Sequence, residues 1–215
     1  MIEGIHPTPS NDNAGGAGVP ATPAAFLEFL TDLFRRGQAM AYGPGKVSMC
    51  AHMLQTADLA AEAGAPPALV AASLLHDVGH FGTDYPFDFE DESHATMQTA
   101  SEDRRHEDAG AAMLLPFFGP DVAEPVRLHV PAKRYLCAID DAYYDHLSAT
   151  TRHTLGLQGG PMTAAEADAF ARLPHAEAAA QLRRWDDEAM VADRPVPGFV
   201  HYAELLAGLI TRPGA

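Results

Sequence analysis

The chain is short of positive charge. Its 215 residues carry 14 Lys and Arg against 29 Asp and Glu, a formal net charge of −15. So acidic a chain is a poor candidate for binding nucleic acid or an anionic membrane, because both need a basic surface. An anionic small molecule is not excluded, since a local pocket can oppose the global sign. Cysteine is nearly absent. The only two, Cys50 and Cys137, have no metal-type spacing and read as reduced thiols of a cytoplasmic protein. No run is long and apolar enough to span a bilayer. The start, Met1-Ile2-Glu3-Gly4, lacks the basic and apolar regions of a signal peptide. There is no convincing alternating strand and no internal repeat.

What is present reads as helix. Hydrophobic residues make up 47% of the chain and charged residues 20%, ordinary for a globular protein and sufficient for one domain with a sizeable core. Residues 1–21, rich in Pro, Gly, Ala and Asn, read as a flexible tail or lid, and residues 22–215 as a single helical domain. Thr22 and Pro23 open a helix with Phe26, Leu30, Leu33 and Phe34 on one face and Gly37 at its end. After a turn at Tyr42-Gly43-Pro44-Gly45, the spacing predicts a helix from about Lys46 to Ala63, stopped by Gly64. Met49, His52, Thr56 and Leu59 share one face of it, which points His52 inward. Pro66-Pro67 opens a short buried helix, Ala68 to Leu75. Residues 81–104 are acidic and aperiodic, the mark of a functional or disordered loop. Further helices are predicted from His106, over Val122 to His129, over Ala138 to Leu147, after a capping box at Thr163 and Glu166, over 176–190 with Leu182, Trp185 and Met190 on or near one face, and over 199–211. Gln158-Gly159-Gly160-Pro161 is a break. The fold class is all-α.

The buried helix delivers His76-Asp77, and this pair is the centre of the functional reading. An imidazole nitrogen can take one metal ion, and a carboxylate can bridge it to a second. His52, His106, His129 and Asp186 stand in suitable surroundings to complete such a centre. His6, His94, His146, His153, His175 and His201 sit in polar or terminal contexts and read as solvated or capping residues. Taken alone, His52 reads as a core histidine, and the His-Asp dipeptide recurs by chance; the combination is what points to metal. Four imidazoles and two carboxylates suit iron, manganese, nickel or zinc, and not calcium. Lys133 follows His129 by one helical turn, and Arg183 precedes Asp186 by three residues. They read either as the grip on a bound oxyanion beside the metals or as surface charges near helix ends.

More specific features extend the pattern: Tyr42 ten residues before His52, the run His76-Asp77-Val78-Gly79-His80, Arg105-His106-Glu107, His129-Val130-Pro131-Ala132-Lys133-Arg134-Tyr135-Leu136, Leu155-Gly156-Leu157-Gln158-Gly159-Gly160-Pro161-Met162 and Arg183-Arg184-Trp185-Asp186. Over about residues 40–205 the chain resembles the HD-domain mixed-valent diiron oxygenases that cleave organophosphonates. The resemblance implies an HD-domain helical bundle around a dinuclear metal site, two iron ions as Fe(II)/Fe(III), and O2 as co-substrate. It implies that His52, His76 and Asp186 hold one iron and His106 and His129 the other, with Asp77 bridging. Tyr42 would occupy an open position on the second iron until substrate displaces it, and His80, Lys133, Thr151 and Arg183 would hold the phosphonate oxygens. The family has serine where this chain has Thr151, which keeps the hydroxyl. It also has, in members acting on an aminophosphonate, a glutamate three residues after the tyrosine that contacts the substrate ammonium. Here that residue is Gly45. A neutral, minimal or quaternary-ammonium substituent then fits better than a primary amine, unless an acid from Asp84 to Glu92 takes the glutamate's place.

The implied reaction is oxidative C–P cleavage of a 1-hydroxyalkylphosphonate to a carboxylic acid and inorganic phosphate. The main alternative is an HD-type metal-dependent phosphohydrolase acting on a small phosphate ester, because the same ligand set can position a hydroxide for attack on phosphorus. A metal-binding regulatory module without catalysis is a third reading. Nothing in the pattern calls for a nucleic-acid or membrane partner.

Overall fold

The computed structural model describes residues 20, 22–37, 47–81 and 105–210. The residues 1–19 of the expected tail, the Tyr42 turn and the acidic stretch 82–104 lie outside the described residues. What is described is helical, with no β-strand among the described residues. Nor is any helix among them long and apolar enough to cross a membrane.

Helix α1 (Pro23–Arg36) starts as the sequence predicts. Thr22 is extended and its hydroxyl accepts from the Ala25 amide at 3.3 Å, while Pro23 sits where no intrahelical N–H is needed. Helix α2 (Met49–Glu62) begins after Ser48, whose hydroxyl accepts from the Ala51 amide. The sequence reading gave α2 one inward face. The structure corrects this: Met49, Cys50, His52, Met53, Leu54, Gln55, Thr56, Ala57 and Ala60 are all buried, so α2 runs through the middle of the molecule. His52 does point inward, because nearly every side of this helix is inside.

Helix α3 (Pro67–Leu75) is apolar and buried from Val70 onward. It ends at His76 and Asp77, and the chain tightens into a 3-10 turn, Val78–Phe81. That turn packs against α4 (His106–Phe118) more closely than any side chain permits. A Cβ on Gly79 would lie 2.0 Å from the His106 carbonyl oxygen and 2.7 Å from the Gly110 nitrogen. Glycine at position 79 is thus what lets the Asp77 segment approach His106.

Helix α5 (Pro120–Ile139) is a single 20-residue helix that passes through Pro125 and Pro131. Each proline removes an intrahelical hydrogen bond, and packing along α4 and α9 (Ala176–Glu188) overrides that local cost. The expected helix from Ala138 to Leu147 divides at Asp140. Asp140 ends α5 and caps α6 (Asp141–His146) by accepting from the Tyr143 amide at 3.1 Å. Helix α7 (Ala149–Leu157) stops at Gly159 and Gly160, with φ of 97° and 73°. The Thr163–Glu166 capping box opens α8 (Ala164–Ala171) as expected. Because α9 ends at Glu188, Met190 is not on its buried face with Leu182 and Trp185; it lies beyond the helix, 41% exposed. The last helix is α10 (Phe199–Leu209).

The main core joins α1 to α4, the start of α5, α9 and α10, with Phe26 stacked on Phe117 at 4.0 Å between ring centroids. Two smaller clusters lie beneath α8 and beneath α6 and α7.

Candidate metal centre

Six candidate ligands converge from five places in the chain: His52 on α2, His76 and Asp77 after α3, His106 as the first residue of α4, His129 in α5 and Asp186 near the end of α9. All six are buried. They form two groups able to hold a metal ion, His52–His76–Asp186 and Asp77–His106–His129.

In the first group His52 Nε2 lies 3.2 Å from His76 Nε2 and 3.1 Å from Asp186 Oδ1. His76 Nε2 is 3.7 Å from Asp186 Oδ1. Asp77 Oδ2 faces this group, 3.4 Å from His76 Nε2 and 3.7 Å from His52 Nε2. In the second group His106 Nε2 and His129 Nε2 are 3.1 Å apart. The other oxygen of Asp77, Oδ1, faces them at 3.3 and 3.8 Å. Metal–donor bonds of about 2.1 Å put neighbouring donors of one coordination shell roughly 3–3.4 Å apart. Five of the eight spacings, 3.1–3.4 Å, meet that requirement and the other three run to 3.7–3.8 Å, and Asp77 offers one oxygen to each group.

Ring orientation supports the same assignment. His52 Nδ1 donates to the Ala189 carbonyl at 2.8 Å, His76 Nδ1 to Ser73 O at 2.9 Å and His129 Nδ1 to Val126 O at 2.7 Å. A carbonyl only accepts, so each Nδ1 carries a proton and each ring turns its Nε2 into the cavity, where it offers a lone pair whenever the ring is neutral. The buried Glu107 carboxylate lies 3.5 Å from His106 Nδ1. Lone pairs aimed at one another at about 3 Å repel unless a cation lies between them. Asp77 Oδ2 is buried without a hydrogen-bond partner among the described residues, which is costly unless a cation is there to meet it.

The electrostatics point the same way. Burial alone would raise Asp77, but His76, His106 and His80 outweigh it and hold the carboxyl well below the usual range. Burial would raise Asp186 too, and Arg183, His76 and His52 hold it down. His76 is pushed up to about 10: burial disfavours its charge, and Asp77 and Asp186 overcome that. His129 falls well below its ordinary value through burial and the positive charge of His106 and His76. The pair of carboxylates favours positive charge between them. The donor set fits a borderline transition metal, four imidazoles and two carboxylates with no thiolate.

Beside this centre stand two buried cations. Lys133 is 3% exposed, and its Nζ donates to Thr154 Oγ1 at 3.2 Å. Burial, then the neighbouring Arg183 charge, lowers it to about 8. Arg183 Nη1 lies 2.6 Å from Asp186 Oδ2, on the opposite side of that carboxylate from His52. Its Nε and Nη2 are gripped by Asp187, which also accepts from the Tyr143 hydroxyl. Lys133 and Arg183 are therefore interior residues, and the surface-charge reading of both is overturned. His80 is half-buried at the edge, its ring stacked on His106 at 3.8 Å and its Nε2 3.8 Å from Asp77 Oδ1. Thr151 is not brought to Lys133. Its hydroxyl pairs with that of Ser148 at 2.8 Å, and Thr154, one turn later, makes the contact instead. Tyr42 lies outside the described residues. His146, His153 and His201 are exposed, as their polar contexts suggested. Thr154, Asp187 and Tyr143 carry no signal in the sequence beyond Asp187 standing next to Asp186, whereas Glu107 belongs to the Arg105-His106-Glu107 run.

The HD-domain family model matches residues 49–171, a span that takes in five of the six candidate ligands and stops short of Asp186. The chain is 41% identical over 177 residues to hydroxymethylphosphonate dioxygenase of Gimesia maris, covering 81% of this chain and 85% of that protein. It is 36% identical over 187 residues to 1-hydroxy-2-(trimethylamino)ethylphosphonate dioxygenase (glycine-betaine-forming) of Leisingera caerulea, covering 86% and 91%.

Proposed function

The chain belongs to the HD-domain family, and from that premise we propose that it is a diiron oxygenase using O2 to cleave the C–P bond of a 1-hydroxyalkylphosphonate. The products are a carboxylic acid and inorganic phosphate. Atoms balance with one O2 per substrate, and no added reductant is needed. The observation that carries the reading is the Asp77 carboxylate, one oxygen toward each donor group, beside a buried Lys133–Arg183 pair in an otherwise acidic protein. The names of the two relatives support both the oxygenase chemistry and the phosphonate class.

His52, His76 and Asp186 would hold one iron, His106 and His129 the other, and Asp77 both. When bound, a redox-active pair supplies the one-electron chemistry that O2 needs to react with a closed-shell alcohol. The remaining work falls to the protein. Lys133 and Arg183 hold the phosphonate oxygens with charge-assisted hydrogen bonds, Arg183 by its planar fork and Lys133 as a point charge. Thr154 fixes the Lys133 ammonium. His80 stands at the edge of the second donor group, where a substrate oxygen would enter, Tyr42 keeps the role that the family resemblance implies, and Thr154 stands at Lys133 in place of Thr151. Burial of the whole group excludes water from the oxidising step.

Substrate choice follows from Gly45. A glycine offers no carboxylate to a primary ammonium, and burying an ammonium without a partner is costly. The two relatives are named for a hydroxymethyl and a trimethylamino phosphonate, neither of which needs that carboxylate. The substrate is a 1-hydroxyphosphonate of one of these two kinds.

The test uses anaerobically purified protein, with iron analysis, electron paramagnetic resonance, and a panel of the hydroxymethyl, trimethylamino and 2-amino phosphonates. Equal O2 uptake and phosphate release on one of the first two, with a mixed-valent diiron signal, is the expected result. Phosphate release from a phosphate ester without O2 uptake would identify a hydrolase instead. A preference for the 2-amino substrate would overturn the substituent assignment alone.

A further inference from the structure

Resting on the reading of Arg183 as a phosphonate grip, we propose that Asp187 and Tyr143 are positioning residues. They hold the Arg183 guanidinium so that an N–H on each of its terminal nitrogens is left for the substrate.

A guanidinium has five N–H donors in a rigid plane. Arg183 Nε donates to Asp187 Oδ2 at 3.1 Å, and Nη2 donates to Asp187 Oδ1, so the side of the fork is closed by one carboxylate. Nη1 is engaged by Asp186 Oδ2 at 2.6 Å. Asp187 uses two donors, and Nη1 stands in an ion pair with Asp186. N–H groups remain on both Nη1 and Nη2, where two oxygens of a tetrahedral oxyanion can meet them. Arg183 is 7% exposed, so bulk water does little to satisfy them.

As a charge, Asp187 works against anion binding, so its contribution has to be geometric. Asp186 is the nearest competing carboxylate. A guanidinium released from Asp187 would be free to swing onto both oxygens of Asp186. That would consume the spare donors and draw Asp186 Oδ1 away from His52, 3.1 Å distant. Asp187 needs holding in turn, because its side chain is still 20% exposed. The Tyr143 hydroxyl does this by donating to Oδ2. Burial pushes the Tyr143 phenol upward, which keeps it a donor across the working pH range. Tyr143 lies on α6, a helix that contributes no candidate metal ligand, so its tie to the site runs through Asp187 and Arg183.

The test is calorimetric titration of the metal-loaded full-length protein with methylphosphonate, which has the phosphonate but no hydroxyl to oxidise. Metal content, kcat and KM are measured alongside. Asp187→Asn should bind about tenfold more weakly and raise KM more than it lowers kcat, with metal content unchanged. Tyr143→Phe should lose about threefold. In an Arg183→Ala background, Asp187→Asn should add nothing further, since it acts through Arg183. If Arg183→Ala weakens binding while Asp187→Asn binds as tightly as wild type or more so, Asp187 is only a counter-charge; the inference is overturned and the Arg183 reading stands. Unchanged binding in Arg183→Ala overturns both. Should Asp187→Asn fail to fold, Tyr143→Phe decides, and wild-type affinity there overturns the inference.

Discussion

Asp77 Oδ1 is 3.3 Å from His106 Nε2, and Oδ2 is 3.4 Å from His76 Nε2. One side chain thus belongs to both donor groups, whereas His129 belongs to one. Asp77→Ala should lose both metal ions, and His129→Ala should mainly empty the second position; elemental analysis of purified variants separates the two cases. Wild-type metal content in Asp77→Ala would remove the bridge. Lys133 gives a pH prediction. With its ammonium lowered to about 8 by burial and by Arg183, it is charged below that pH and loses its grip on an anion as pH rises through it. The ratio kcat/KM, which reports the free enzyme, should fall on a basic limb near pH 8. In kcat the limb should move upward, because the bound dianion stabilises the ammonium. Lys133→Arg should abolish the limb in a pH–rate profile, since arginine stays charged. At this scale the candidate ligands were legible in the sequence because metal chemistry restricts residue type. Thr154, Asp187 and Tyr143 were not, because hydroxyls and carboxylates on polar helices look alike until their partners are known.

Helix positions were readable wherever a local signal existed: Thr22 with Pro23, the glycines at 159 and 160, and the Thr163–Glu166 box all lie where the chain changes direction. The continuity of α5 was not readable, since two internal prolines argue for a break and only packing overrides them. Nor could the sequence reveal how α2 is tied to the segment after α9. His52 donates to Ala189 O, Gln55 exchanges hydrogen bonds of 2.8 and 3.0 Å with the Val191 backbone, and Arg194 reaches Asp58 and Glu62 at 3.1 Å. These contacts join residues more than a hundred positions apart, and they set Asp186 opposite His52. Gly79 makes the matching close approach on the other side. Gly79→Ala would drive a methyl into the His106 carbonyl at 2.0 Å, so the 3-10 turn and α4 must separate. The expected cost is about 3 kcal/mol or more, together with loss of metal from the Asp77–His106–His129 group. Thermal unfolding and metal analysis of the variant check both effects. A wild-type Tm would show that the turn can yield without harm.

Across the whole molecule, the donors lie on α2, after α3, on α4, on α5 and on α9, while α1 and α10 share the main core and supply none. Metal binding to such a centre is linked to folding, because the unfolded chain cannot assemble it. Treatment with a chelator should lower Tm by roughly 5–10 °C, and calorimetry with and without the chelator measures it. An unchanged Tm would mean that the polar centre is held by protein contacts alone. Both cysteines are free and buried, so no covalent link joins one helix to another. A bound ion would supply such a link, closing a loop from position 52 to position 186 as a disulfide does in a secreted protein. The ion pair is then a reversible staple, and its removal should be felt by all five segments at once. Amide hydrogen exchange would display this as a joint rise in α2, the turn after α3, α4, α5 and α9. Their distance along the chain would not matter, and α1 and α10 would keep their protection longer.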